Sequence, residues 1–155
     1  MKLTRHLANG RAKAAYFLVL NFVIIVVVAM TGCTNNVEED VSGIQAMYVM
    51  NARDLYDEYS ANEVAADMKY AGQVVLVKGW VQTISKDILD DPYIVVSDGS
   101  IIGVQCYFNK NRQAELAVLS RGQEIVVRCR VDKKLMNVIA KNSIVVAKGS
   151  VDFRF

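Results

Sequence analysis

The sequence predicts a mainly β domain: a five-stranded OB-fold Greek-key barrel with N-terminal helices and one helix between strands three and four. Three observations carry this expectation. Beyond Gly72 the apolar period changes from three-to-four residues to two. Five such runs then follow, separated by turn residues. Between the third and fourth sits a single helix-period stretch, which is the OB-fold order. A small mixed α/β sandwich is the other arrangement that the same pattern allows.

The chain of 155 residues opens with "MKLTRHLANGRAK", holding Lys2, Arg5, Arg11 and Lys13 and no acid. Ala14 to Met30 are apolar except for Asn21. A basic stretch before an apolar one is the layout of a secretory signal. Thr31 and Gly32 then lead into Cys33. "TNNVEEDVSG" follows without apolar periodicity and reads as an acidic tether over residues 33–43. From Ile44, apolar positions Ile44, Met47, Tyr48, Leu55 and Tyr59 recur at three- and four-residue steps, predicting an amphipathic helix. Ser60 and Glu63 have capping-box spacing, so a second helix is expected over 61–69, with Gly72 as its stop. Residues 44–72 thus form a helical cover.

The barrel is assigned to residues 73–150. Its first strand, "QVVLVKGWVQTI", puts Val75, Val77, Gly79 and Val81 on one face and Leu76, Lys78, Trp80 and Gln82 on the other. Further strands are predicted at Tyr93–Ser97, Ile101–Phe108, Glu124–Val131 and Leu135–Val146. The turn signals between them are "DDP" at 90–92, "SDGS" at 97–100 and "DKK" at 132–134. "RQAELAVLSRG", ending at Gly122, supplies the intervening helix.

The run of small residues before Cys33 resembles the lipobox of bacterial lipoprotein signal peptides, with Met30 where that motif more often has Leu. The resemblance implies cleavage before Cys33 and its lipidation, with residues 1–32 as signal peptide. An uncleaved anchor is the alternative, since Ala14 to Cys33 is long enough to cross a bilayer. Either way, residues 34 onward are extracytoplasmic. Thr34, not Asp, follows the cysteine; by lipoprotein sorting rules the resemblance implies the outer membrane where the host has two.

Removing residues 1–32 changes the charge. The whole chain carries 18 basic and 16 acidic residues, and four of the basic ones lie in the signal. Residues 33–98 then hold four basic and twelve acidic groups, and 99–155 ten basic and four acidic. The two parts can attract one another, or the second can present a basic face to an anionic ligand. His6 is the single histidine. A mature domain without histidine excludes Ser-His and Cys-His nucleophiles and His-containing zinc sites, so no enzyme, cofactor or metal is expected.

Wording within the domain carries a second resemblance. Asn62, Glu63, Ala65, Ala66, Asp67, Tyr70, Gly72, Val77, Gly79, Val81, Ile84, Lys86, Asp87, Ile88, Pro92, Tyr93, Val104, Gln105, Cys106, Phe108, Gly122 and Gln123 are similar to the tRNA_anti-like family over about residues 57–146. The chain departs from the family at Asn142 and Ser143, where a cysteine is common. The resemblance implies an OB-fold and suggests nucleic-acid binding.

OB-folds bind ligands across the second and third strands, between the loop joining strands one and two and the loop joining four and five. On this chain the candidates are Lys78, Trp80, Lys86, Tyr93, Gln105, Tyr107, Lys133 and Lys134. Aromatic rings beside cations suit single-stranded nucleic acid, and oligosaccharide is the other ligand considered. Burial of Trp80 and Tyr107 under the helices is the alternative reading of those rings. Strand alternation turns Cys106 and Cys129 inward, as two buried thiols or as a disulfide. The chain is thus expected to be a membrane-anchored binding module of the bacterial envelope, or else a structural lipoprotein contacting another envelope protein.

Overall fold

In the computed structural model, residues 39–149 are described. The expected signal peptide, residues 1–32, and Cys33 lie outside them. Strand β1 (Tyr48–Asn51) leads into helices α1 (Ala52–Ala61) and α2 (Glu63–Tyr70). Five longer or central strands follow: β2 (Val74–Lys86), β3 (Pro92–Ser97), β4 (Val104–Tyr107), β5 (Glu124–Lys134) and β6 (Val138–Lys148). A 3-10 turn at Lys110–Arg112 and helix α3 (Gln113–Ala117) stand between β4 and β5.

The sheet runs β1-β2-β3-β4-β6-β5, and β5 returns to pair with β2, closing a five-stranded barrel with β1 as an added edge strand. This is the OB-fold, in the predicted order. Closure depends on the length of β2. Its first half, Val74 to Trp80, pairs with β5, and its second half, Trp80 to Lys86, pairs with β3, with a register shift between Val81 and Thr83. Gly79 lies in the crowded first half: a Cβ there would meet the Ser97 carbonyl at 2.7 Å and Val96 Cγ1 at 2.8 Å.

The core is what alternation predicts. Val75, Val77, Val81, Ile94, Val96, Val104, Cys106, Ile125, Val127, Cys129, Val138 and Ala140 are buried together. Leu55 and Tyr59 of α1, with Ala66 and Tyr70 of α2, cover one end of this core.

Three local expectations are corrected. The helix expected from Ile44 begins at Ala52, because Tyr48–Asn51 pair in parallel with Val75–Lys78 along the open edge of β2. β-prone Tyr48, Val49 and Met50 gain ladder hydrogen bonds there that a helix would forgo. The Ser60–Glu63 capping box is not formed. Asn62 caps α2 instead, its side chain accepting from the Ala65 N–H at 3.1 Å, while the Ser60 hydroxyl donates to the Tyr56 carbonyl. The end of the acidic tether is folded onto the barrel: Val41 is fully buried with Val74 and Ile144. Glu39 pairs with Arg130 at 2.5 Å and Asp40 with Arg112 at 3.3 Å. The attraction between acidic and basic parts is therefore realised within the chain.

Candidate binding cleft

A cleft of about 350 Å³ opens between the β2–β3 loop, the end of β4, and the β5–β6 hairpin. Tyr107 lines it, and Tyr93 stands beside Tyr107. Antiparallel pairing of β3 with β4 sets Tyr93 opposite Tyr107 on the outer face, and their centroids lie 5.5 Å apart at 43°. A polar chain fixes Tyr107: Gln105 Nε2 donates to the Tyr107 hydroxyl at 2.8 Å, and Asn137 Nδ2 donates to Gln105 Oε1 at 3.2 Å. Asn137 Oδ1 in turn accepts from the Gly103 N–H at 3.0 Å. The β5–β6 turn is thereby tied to β4. Burial, then the nearby Asp87 carboxylate, raises the Tyr107 hydroxyl above its ordinary pKa, keeping it neutral.

One wall is the loop 87–91. Asp87 Oδ1 accepts from the Leu89 and Asp91 N–H groups, both at 2.9 Å, which folds the loop on itself. Asp90 takes positive φ (64°) and pairs with Lys86 at 2.9 Å, a contact that lowers its pKa. Asp91 pairs with Lys110 at 3.2 Å. In the opposite wall Asp132 pairs with Lys141 at 2.9 Å. Among the described residues Lys133 makes no ion pair, and it lines the cleft beside Leu135, Ile139 and Asn142. Most carboxylates here are neutralised locally, so one unpaired cation faces a nearly balanced surface.

The structure brings Tyr107 and Lys133 into the cleft lining, sets Tyr93 and Gln105 beside Tyr107, and places Lys86 at the end of β2 next to the 87–91 loop. It separates the other three. Lys134 points to the opposite side of β5 and lies over the Tyr56 ring of α1 at 5.5 Å. Lys78 pairs with Glu124 at 3.3 Å. Trp80 is 44% exposed and borders a different hollow with Asn51, Arg53, Lys78, Ser97 and Asp98. It is neither a cleft residue nor core under the helices, because the turn of β2 from β5 to β3 re-aims its outer face. Sequence reasoning missed Asn137, Ile139 and Lys141. The last two alternate on the final strand and could have been found by extending its outward face.

Cys106 and Cys129 are free thiols, both buried. A hydrogen bond with Cys106, and then burial, pushes the Cys129 thiol well above its ordinary pKa. Both side chains belong to the same buried core although β4 and β5 are not paired. Among the described residues there is no cluster of three or more His, Cys, Asp or Glu able to hold a metal. No helix among them is long and apolar enough to cross a membrane.

A closed barrel of this order, with a cleft between the two expected loops, defines an OB-fold domain. The chain belongs to the tRNA_anti-like family, whose profile matches residues 1–145. Among solved structures it is similar to a putative nucleic acid-binding lipoprotein from Klebsiella pneumoniae, at 19% identity and TM-score 0.56, covering 64% of this chain and 91% of that one. It is also similar to the OBody AM3L09 bound to hen egg-white lysozyme, at 20% identity and TM-score 0.40, over 53% of this chain and 88% of that one. No curated protein matches it in sequence.

Proposed function

We propose that the protein is a lipid-anchored OB-fold module of the bacterial cell envelope that binds short single-stranded nucleic acid in the cleft above Tyr93 and Tyr107. The observation that carries this reading is the ring pair itself. Two half-buried tyrosines, held 5.5 Å apart and tilted by 43° on the outer face of β3 and β4, offer ring faces on which a base can stack. Lys133, without an ion pair among the described residues, supplies a charge for one phosphate. Family membership and likeness in fold to the Klebsiella lipoprotein support both the nucleic acid and the anchor at Cys33.

Neutral oligosaccharide is the second reading. It is favoured by the neutralised carboxylates and by Asn109 and Asn142 in the lining, which suit hydroxyl groups better than a run of phosphates. Filter binding of the protein to single-stranded DNA and RNA over a range of salt concentrations separates the two. Nucleic-acid binding is expected with a shallow salt dependence, because few cations are free to release counterions. Absence of binding at low salt removes the nucleic-acid proposal.

A further inference from the structure

We propose that the end of the domain around residues 70–74, with the outward side chains Met47, Val64 and Met68, is seated on the bilayer that holds Cys33. This rests on the reading that Cys33 sits at the membrane, and it holds whether that cysteine carries lipid or ends an uncleaved anchor.

The first argument is reach. Five residues separate Cys33 from Glu39, and an extended chain over those six steps spans at most roughly 20 Å. Nothing is gained by peeling the strap 39–43 from the barrel, because it is bolted down at several points. Glu39 binds Arg130, Asp40 binds Arg112, the Ser42 carbonyl accepts from Arg128, and Val41 is fully buried. The surface where the strap begins therefore stays within roughly 20 Å of Cys33.

The second argument is what that surface carries. Arg130 reaches Glu39 with one nitrogen and the Gly72 carbonyl with the other, so the strap begins beside the end of α2. On α2 the inward positions are Ala66 and Tyr70, whereas Val64 and Met68, one turn apart on the other side, are 72% and 88% exposed. Met47, 66% exposed, joins them: its N–H donates to the Val74 carbonyl at 2.7 Å, and the neighbouring Tyr48 ring packs edge-on against Tyr70 at 5.0 Å. Two flexible methionines and a valine, exposed on the elements that lead to Gly72 and Val74, fit the apolar side of a lipid interface. Glu63 and Asp67 flank them on α2, so the contact does not depend on anionic lipid.

Trp80 serves as a built-in control, six residues beyond Val74 along β2, roughly 20 Å of strand away. The full-length protein, reconstituted into phosphatidylcholine vesicles with brominated acyl chains, is compared with M68W/W80F and V64W/W80F. Both variants are expected to show blue-shifted emission quenched at least twofold by bromine, while Trp80 of the unaltered protein stays unquenched. Vesicle-bound variants with water-like, unquenched emission overturn the seating and leave the anchor standing. Protein that fails to float with the vesicles overturns the anchor, and the seating with it.

Discussion

Tyr93 and Tyr107 face each other across β3 and β4 with ring centroids 5.5 Å apart, and the Tyr107 hydroxyl is held from below by Gln105 at 2.8 Å. Both rings stand on the outer face, so each can be removed without opening the core. Base stacking on an aromatic side chain contributes about 1–3 kcal/mol. Y93A and Y107A are each expected to weaken binding of a single-stranded oligonucleotide roughly 5- to 150-fold with little change in thermal midpoint. Titration by fluorescence anisotropy, beside a melting curve, checks this.

Lys133 and Lys134 are neighbours in sequence with different surroundings, one lining the cleft and the other over Tyr56. K133Q should lower the slope of log affinity against log salt by about one. K134Q should leave that slope unchanged and cost a few tenths of a kcal/mol in stability through the lost cation–π contact. Equal effects on binding would contradict the assignment.

The hinge of the cleft is the contact between Asn137 and Gly103. N137A leaves the Gly103 N–H without its acceptor and should cost about 1–3 kcal/mol. G103A is harsher, because its Cβ would stand 2.2 Å from the Val96 carbonyl and force β3 from β4. Chemical denaturation should rank G103A below N137A, and both below the unaltered protein.

The strap is sensitive to acid. Hydrogen bonds from Ser42, and then Arg112, hold the Asp40 carboxyl below its ordinary 3.8. A carboxyl whose pKa is lowered by folding stabilises the fold fully above that ordinary value, and the contribution disappears as pH falls through the folded pKa. Proteolysis near residues 39–43 should therefore be slow at pH 7 and accelerate below about pH 4. D40N should abolish much of that pH dependence. V41A, which removes two buried methyl groups, should cost about 1.5 kcal/mol at any pH.

Buried Cys106 and Cys129 should resist thiol reagents in the native state. Unfolding without reductant should release two reactive thiols, and release of none would contradict the free-thiol state.

Much of the barrel was legible in the sequence because β-branched residues alternate so regularly between Val74 and Val146, and Gly72, Pro92 and Gly122 punctuate them. Residues 44–59 misled because Ile44, Met47, Tyr48 and Leu55 satisfy a helical period while an open strand edge competes for Tyr48–Asn51. The strap was illegible because burial of Val41 depends on Val74 and Ile144, and its ion pairs on arginines some 70 to 90 residues away. Tyr93, Gln105 and Tyr107 share one outer face, as alternation on short, straight strands predicts. Trp80 is outward as expected but borders a separate hollow, since alternation along a strand that curls from one partner to another keeps inside and outside distinct but loses direction around the barrel.

The claim that ligand binds above the tyrosine pair is tested most directly by photocrosslinking. A single-stranded oligonucleotide carrying 5-iodouracil is bound, irradiated and mapped by peptide mass spectrometry. Crosslinks on Tyr93 or Tyr107, lost on competition with unlabelled strand, are the predicted result; crosslinks concentrated on Trp80 would contradict it.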